Sequence, residues 1–395
     1  MVLGISFVHT SVKLILADTL RKPKGFLYIA YVIRVNTYYA GDNGTPNVGT
    51  TFRSPLQRLQ EFKMNFNKKK IKALGLCSGG LDSILAALVL RDQDIEVQWV
   101  TFETPFFSAE KARRTASKNK IPLIVKDITD RYIPMLKNPH CGYGQCLNPC
   151  LDCHALMFRI AGEMMPETES DFLFSGEVKG QRPMSQTKSG MRYVEKHSGY
   201  DGYILRPLSA KRLPETRMEK EGLVNRELLH GITGRSRKPQ IALAESYGVS
   251  DYPAPAGGCL LTDKGYARRL QDLFDHQADF TREDLELLKY GRHLRTNEAV
   301  KLVVGRNKSD NENIVSCYRP ESDVLTQMAV HPGPVGLIPH GAPEEIVHWA
   351  ASVCAGYSKA PACERTAVKI HMPDGTKTIA VPPIPNDQVQ SLMIP

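Results

Sequence analysis

From residue 70 onward, short apolar runs alternate with stretches in which apolar residues recur every three or four positions, a rhythm that predicts parallel strands joined by crossover helices. Residues 71–77 form the first predicted strand and 82–90 a helix with Asp82 placed at its cap. A second strand follows over 95–102, a helix with basic outer positions over 108–118, and a third strand over 121–128. Downstream, a cysteine-rich loop leads to a predicted helix over 154–164 and strands over 171–175 and 203–208. The expected fold class is α/β: a parallel, doubly wound, Rossmann-like sheet with its ligand at the carboxyl ends of the strands, followed by a smaller α+β module. The module is read from three features. These are a strand over 300–304, a helix opening at Pro343 with Ile346, Val347, Ala350, Val353, Cys354 and Tyr357 on one stripe, and a hairpin turning at Asp374-Gly375 between 368–371 and 378–381.

Ahead of the first strand the pattern fades. Residues 1–63 carry eight Lys/Arg against three Asp/Glu and include a turn-rich run over 39–50. A poorly ordered extension is expected over 1–66, without the layout of a secretory signal. Lys68, Lys69 and Lys70 soon after Met64 suggest that translation starts at Met64. The turn-prone stretch 251–258 (DYPAPAGG) marks a change of domain. The expected division is an α/β domain over 67–240, a connecting segment over 241–284 carrying Cys259, and a C-terminal domain over 285–395.

Composition narrows the class. With 395 residues, 42% hydrophobic and 24% charged, the chain is too long and too ordinary for a disulfide-stapled miniature or a low-complexity polymer. Fifty-one Lys/Arg against 42 Asp/Glu give a net charge of +9, which favours nucleic acid or nucleotide as partner. The aliphatic run over 84–90 is far shorter than the roughly 20 residues of a membrane span, so no membrane partner is expected. Four of the nine cysteines crowd into Cys141, Cys146, Cys150 and Cys153, which in a chain this long reads as metal binding or thiol chemistry in a reducing cytoplasm.

The sharpest chemical signal is Ser78-Gly79-Gly80-Leu81-Asp82-Ser83 between an apolar strand and a helix. Glycines allow close approach of a ligand, hydroxyls and turn amides hold phosphate oxygens, and a helix amino terminus favours negative charge. A tight strand-to-helix turn is the bland alternative. No Lys-Ser/Thr pair follows the last glycine, so this is a different cradle from the kinase-type loop. The motif resembles the SGGxDS loop of the ATP pyrophosphatases, the PP-loop group of the adenine nucleotide alpha-hydrolase superfamily. That resemblance implies an enzyme that binds the pyrophosphate portion of ATP at Ser78, Gly79, Gly80, Asp82 and Ser83, with Asp82 near Mg2+, and adenylates its substrate.

A second segment, Ser175-Gly176-Glu177-Val178-Lys179-Gly180-Gln181 with Ser185-Gln186, is similar to the GExxGQ...SQ region of tRNA 4-thiouridine synthases. In that family it adjoins the nucleotide and the target uridine, which implies roles for Gly176 and Gln181. Asn148-Pro149-Cys150-Leu151-Asp152-Cys153 resembles the NPxxxC segment of tRNA 2-thiouridylases, implying that Cys153 is a catalytic thiol and Cys259 its distant second. Many members carry an acidic residue where this chain has Cys150. Read from the residues, Cys153 before a helix has a thiolate stabilised by the dipole.

Three thiols, Cys150, Cys153 and Cys259, can hold a [4Fe-4S] cluster with one iron open for sulfide. The rivals are a structural Zn2+ on Cys141, Cys146, Cys150 and Cys153, or Cys153 and Cys259 acting directly as persulfide carrier and resolving thiol. At the other end, residues 290–295 (YGRHLR) and 301–307 (KLVVGRN) resemble the C-terminal RNA-binding domain of the NFACT family.

The resemblances together imply an ATP-dependent tRNA sulfurtransferase that adenylates a uridine oxygen and replaces it with sulfur. Its partners would be tRNA and a sulfur donor protein or sulfide, with a homodimer left open. Two alternatives remain: an ATP pyrophosphatase forming an amide or nitrile on a small molecule, and a non-catalytic RNA-binding protein.

Overall fold

The computed structural model describes residues 70–254, 258–296 and 300–394, together with two strands near the start, β1 (Gly4–Phe7) and β2 (Thr10–Lys13), which pair antiparallel. Apart from that pair, the extension expected over 1–66 and the start expected at Met64 lie outside the described residues. The other described residues belong to one compact unit, Lys69–Pro395.

The alternating pattern becomes β3 (Lys72–Leu76), α1 (Leu81–Arg91), β4 (Glu96–Glu103), α2 (Glu110–Asn119), β5 (Leu123–Asp127), α3 (Thr129–Lys137), α4 (Cys150–Glu163), β6 (Phe172–Ser175), α5 (Lys188–Ser198), β7 (Ile204–Leu205) and α6 (Lys238–Ser246). The five strands are parallel in the order β5-β4-β3-β6-β7, so the sheet is doubly wound and its direction of growth reverses at β3. Alternate side chains feed two cores, as a sheet covered on both faces requires. Ala73, Trp99, Phe172 and Phe174 pack with α1 and α2 on one face. Leu74, Val100, Phe102 and Leu173 pack with α3 and α4 on the other.

The structure corrects three local readings. Helix α4 begins at Cys150, four residues before the expected start, because Pro149 accepts the first helical bond from Cys153 N at 2.8 Å. Asp82 is not the cap of α1. Gly80 occupies the cap position without a side-chain bond, and Asp82 stands in the first turn. The strand expected over 203–208 shrinks to Ile204–Leu205.

The remaining chain adds α7 (Lys264–His276) and α8 (Arg282–Leu287), whose Tyr266, Leu270 and Leu285 enter the second of the two sheet cores. The α+β module comprises β8 (Arg292–Arg295), β9 (Lys301–Val304), α9 (Lys308–Ser316), β10 (Val324–Met328), β11 (Val335–Ile338), α10 (Glu344–Gly356), β12 (Thr366–Met372), β13 (Gly375–Val381) and β14 (Met393–Ile394). Its seven strands form an antiparallel sheet in the order β13-β12-β10-β11-β9-β8-β14, with Val347, Ala350, Ala351 and Cys354 of α10 in its core. Pro343 caps α10 as the sequence predicts. The β12–β13 hairpin turns one residue earlier than expected, at Pro373-Asp374, since Gly375 already pairs with Met372. No helix among the described residues is long and apolar enough to cross a membrane.

Candidate functional site

The glycine turn follows β3 directly. Cys77 N donates to Val100 O at 2.9 Å, which keeps the strand registered until the turn begins. Gly79 has φ +74°, and a Cβ there would meet the Lys111 backbone of α2 at 2.5 Å. Only glycine accommodates both demands. Its carbonyl accepts from Thr115 Oγ1 at 2.9 Å, tying the turn to α2. Within the turn, Ser78 N donates to Ser83 Oγ at 3.3 Å, and the two serine hydroxyls stand 3.4 Å apart. The predicted Ser78, Gly79, Gly80, Asp82 and Ser83 thus line one turn at the amino terminus of α1.

Gly176 and Gln181 reach the same place from the end of β6. A Cβ on Gly176 would lie 2.3 Å from the Asp82 carbonyl, so the absence of a side chain is what lets α1 and the β6 loop touch. Gln181 Nε2 donates to Asp82 Oδ2 at 3.0 Å, and Gln240 Nε2 to Gln181 Oε1 at 3.3 Å. Asp82 Oδ1, Gln240 Oε1 and Arg237 Nε are buried without a hydrogen-bond partner among the described residues. Burial pushes the Asp82 carboxyl up, while Gln181, Arg237, Arg182 and Gln240 pull it down without cancelling that rise. Unpaired buried donors and acceptors beside two guanidinium groups suit a polyanion held with a cation.

Sequence reading missed Arg182, Arg237 and Gln240 as members of this site. Arg237 falls in the basic run 235–238 (RSRK), a pattern suited to any phosphate backbone and so no pointer to this turn. Gln240 carries no sequence signal at all.

The thiols stand at the same edge of the sheet. Cys150, Cys153 and Cys259 are all half-buried. Tyr132, from the helix after β5, hydrogen-bonds Cys153, and its own phenol is pushed up by burial and by all three thiols. Leu260 N donates to Phe106 O at 3.0 Å, holding Cys259 beside the loop after β4. Burial raises the Cys153 thiol, and Cys259, Cys150 and Asp152 raise it further against the Tyr132 bond. Cys259 is pushed up to about 11, first by burial and then by Cys150, with Leu261 N–H opposing. Cys153 lies inside α4 rather than ahead of it, where the sequence pattern places it, and burial is the first cause of its raised thiol. Neighbouring thiols that raise one another suit a positively charged centre that relieves the repulsion.

The three sulfurs do not all lie within 4.8 Å of one another, nor do any three of Cys141, Cys146, Cys150 and Cys153. A tetrahedral zinc with Zn–S near 2.3 Å would set its sulfurs about 3.8 Å apart. The four-thiol zinc set is thus not assembled, whereas ligands of a cluster bind separate irons and stand further apart.

A buried ion network joins the two halves of the site. Glu177, directly after Gly176, accepts from Arg206 Nε at 2.9 Å and meets His154 Nδ1 at 2.8 Å. His154 follows Cys153 on α4, so the chain of contact runs from Asp82 through Gly176 and Glu177 to the thiol helix. Burial would raise the Glu177 carboxyl, but Arg206 and His154 bring it down to about 2. Arg206 also pairs with Glu195 of α5.

Residues 291–393 match the family described as the NFACT protein RNA binding domain. None of the curated proteins compared matches the chain. Among solved structures, the chain is similar to a predicted subunit of tRNA methyltransferase from Methanocaldococcus jannaschii, at 15% identity over 45% of this chain and 76% of that one, with a TM-score of 0.30. It is similar to a 4-thiouridine synthetase solved with RNA and bound ATP, at 20% identity over 45% and 53% of the two chains, TM-score 0.29. It is also similar to the NH3-dependent NAD synthetase of Campylobacter jejuni, at 13% identity over 59% and 88%, TM-score 0.29.

Proposed function

We propose that the protein is an ATP-dependent tRNA sulfurtransferase, with ATP chemistry in residues 67–240, a connecting segment over 241–284 and RNA binding in 285–395. One observation carries this reading: the glycine turn with its unpaired Asp82 oxygen and the three thiols share the carboxyl edge of one parallel sheet, linked through Glu177 and His154. The match of residues 291–393 to an RNA-binding family supports RNA as the acceptor.

ATP would rest its phosphates on the turn amides and on Ser78 and Ser83, with Asp82 Oδ1 toward Mg2+ and Arg182 and Arg237 toward the phosphate oxygens. A uridine oxygen attacks the α-phosphorus, the α–β bridging bond breaks, and pyrophosphate leaves with its electron pair. Hydrosulfide then attacks the uridine carbon that bears the adenylated oxygen, the C–O bond breaks with its electron pair going to AMP, and the sulfur gives up its proton to leave thiouridine. A [4Fe-4S] cluster on Cys150, Cys153 and Cys259 would supply an open iron to carry that sulfur. The residues themselves position the groups and stabilise charge, through the turn amides, the start of α1 and the two guanidinium groups.

Mass spectrometry of nucleosides from tRNA of cells with and without the protein tests the product. Loss of one thiolated nucleoside is expected, and an unchanged nucleoside profile would overturn the reading. Pyrophosphate release stimulated by tRNA, rather than by a small carboxylate with ammonia, separates it from amide formation.

A further inference from the structure

Cys141 has a different company from the other thiols. Its Sγ, a ring nitrogen of His140 and a carboxylate oxygen of Asp152 all lie within 4.8 Å of one another. We propose that His140, Cys141 and Asp152 bind a zinc ion, distinct from any group held by Cys150, Cys153 and Cys259.

Asp152 is the anchor. It sits in the first turn of α4, only 8% exposed, and among the described residues no Lys, Arg or His nitrogen lies within the 4.0 Å of an ion pair. A buried carboxylate is costly unless a cation or metal accompanies it. Its two hydrogen bonds leave room for one. Cys141 N donates to Oδ2 at 2.8 Å and Tyr193 OH to Oδ1 at 2.6 Å, so each oxygen retains a lone pair. Tyr193 also meets Nδ1 of His140 at 3.2 Å, the sort of outer contact that orients metal ligands.

The donor types select the metal. One imidazole nitrogen, one thiolate and one carboxylate oxygen suit zinc, whereas calcium and magnesium demand oxygen alone. A thiolate and a carboxylate neutralise the dication, so the occupied site carries no net charge. Three protein ligands leave the fourth corner to water or to His197, whose ring stands 5.3 Å from that of His140. The ion would tie the loop ahead of α4 to the helix's first turn, the turn that also carries Cys150 and leads to Cys153. The inference does not depend on sulfur transfer.

The test uses the full chain purified with zinc and freed of loose metal, with metal content measured by mass spectrometry. Exchange with Co2+ adds a thiolate-to-cobalt absorption band. Stoichiometric zinc and that band are expected in the wild type and in the combined Cys150→Ser, Cys153→Ser, Cys259→Ser variant. Both should be lost in Cys141→Ser, an exposed position where the fold tolerates the change. His140→Gln, with a melting curve to show it is folded, should lose them too. A wild type without zinc, zinc that survives Cys141→Ser, or zinc that vanishes only with the other three thiols would each overturn the assignment.

Discussion

Asp82 is a half-buried carboxylate and Glu177 a buried one, and their surroundings drive them in opposite directions. Burial dominates at Asp82 and raises it, whereas Arg206 and His154 overcome burial at Glu177. For Asp82 the raised folded value means that its charged form burdens the fold at neutral pH, a burden relieved as the pH falls below that value. Asp82→Asn should therefore leave the melting temperature of the free protein unchanged or higher while reducing tRNA-stimulated pyrophosphate release by about 100-fold or more. For Glu177 the sign reverses. Its contribution is full above the unfolded value of about 4.3 and is lost as the pH falls through about 2. Glu177→Gln should cost about 3 kcal/mol in denaturant unfolding at neutral pH, because Arg206 loses a buried partner. That difference from the wild type should shrink in acid.

At the scale of elements, the site depends on how closely α1 approaches the loop after β6. Gly176→Ala places a methyl 2.3 Å from the Asp82 carbonyl, and neither backbone is a flexible side chain that can swing aside. The variant should lose roughly 1–3 kcal/mol and bind ATP more weakly, measured by thermal melting with and without ATP. The early start of α4 has a comparable consequence. By drawing Cys150 to Cys153 into the helix, it sets two of the three candidate ligands on one rigid element. The sequence pattern alone put this stretch in a loop, because the clustered cysteines carry no helical period.

At the scale of the whole molecule, the parallel sheet carries the glycine turn and the thiols of the proposed ATP site, and the antiparallel sheet carries the match to an RNA-binding family. Lys359, Arg365 and Lys369 are exposed on the α+β module. If they meet phosphates, changing each to Ala should weaken tRNA binding across sequences and lower the slope of log affinity against log salt by about one. Filter binding over a salt series measures this, and unchanged slopes would place the RNA on another face.

What could be read from the chain was short in range. The apolar strand, the glycine pair and the following helix signal the turn over 78–83 within one short window, and short apolar runs mark most strands of the parallel sheet. What only the tertiary structure decided was company. It brought Arg237 and Gln240 to Asp82, Cys259 to Cys150 and Cys153, Arg206 to Glu177, and Tyr193 to Asp152. These partners lie far along the chain from the groups they serve, most of them beyond the last parallel strand, and none shares a local period with its group.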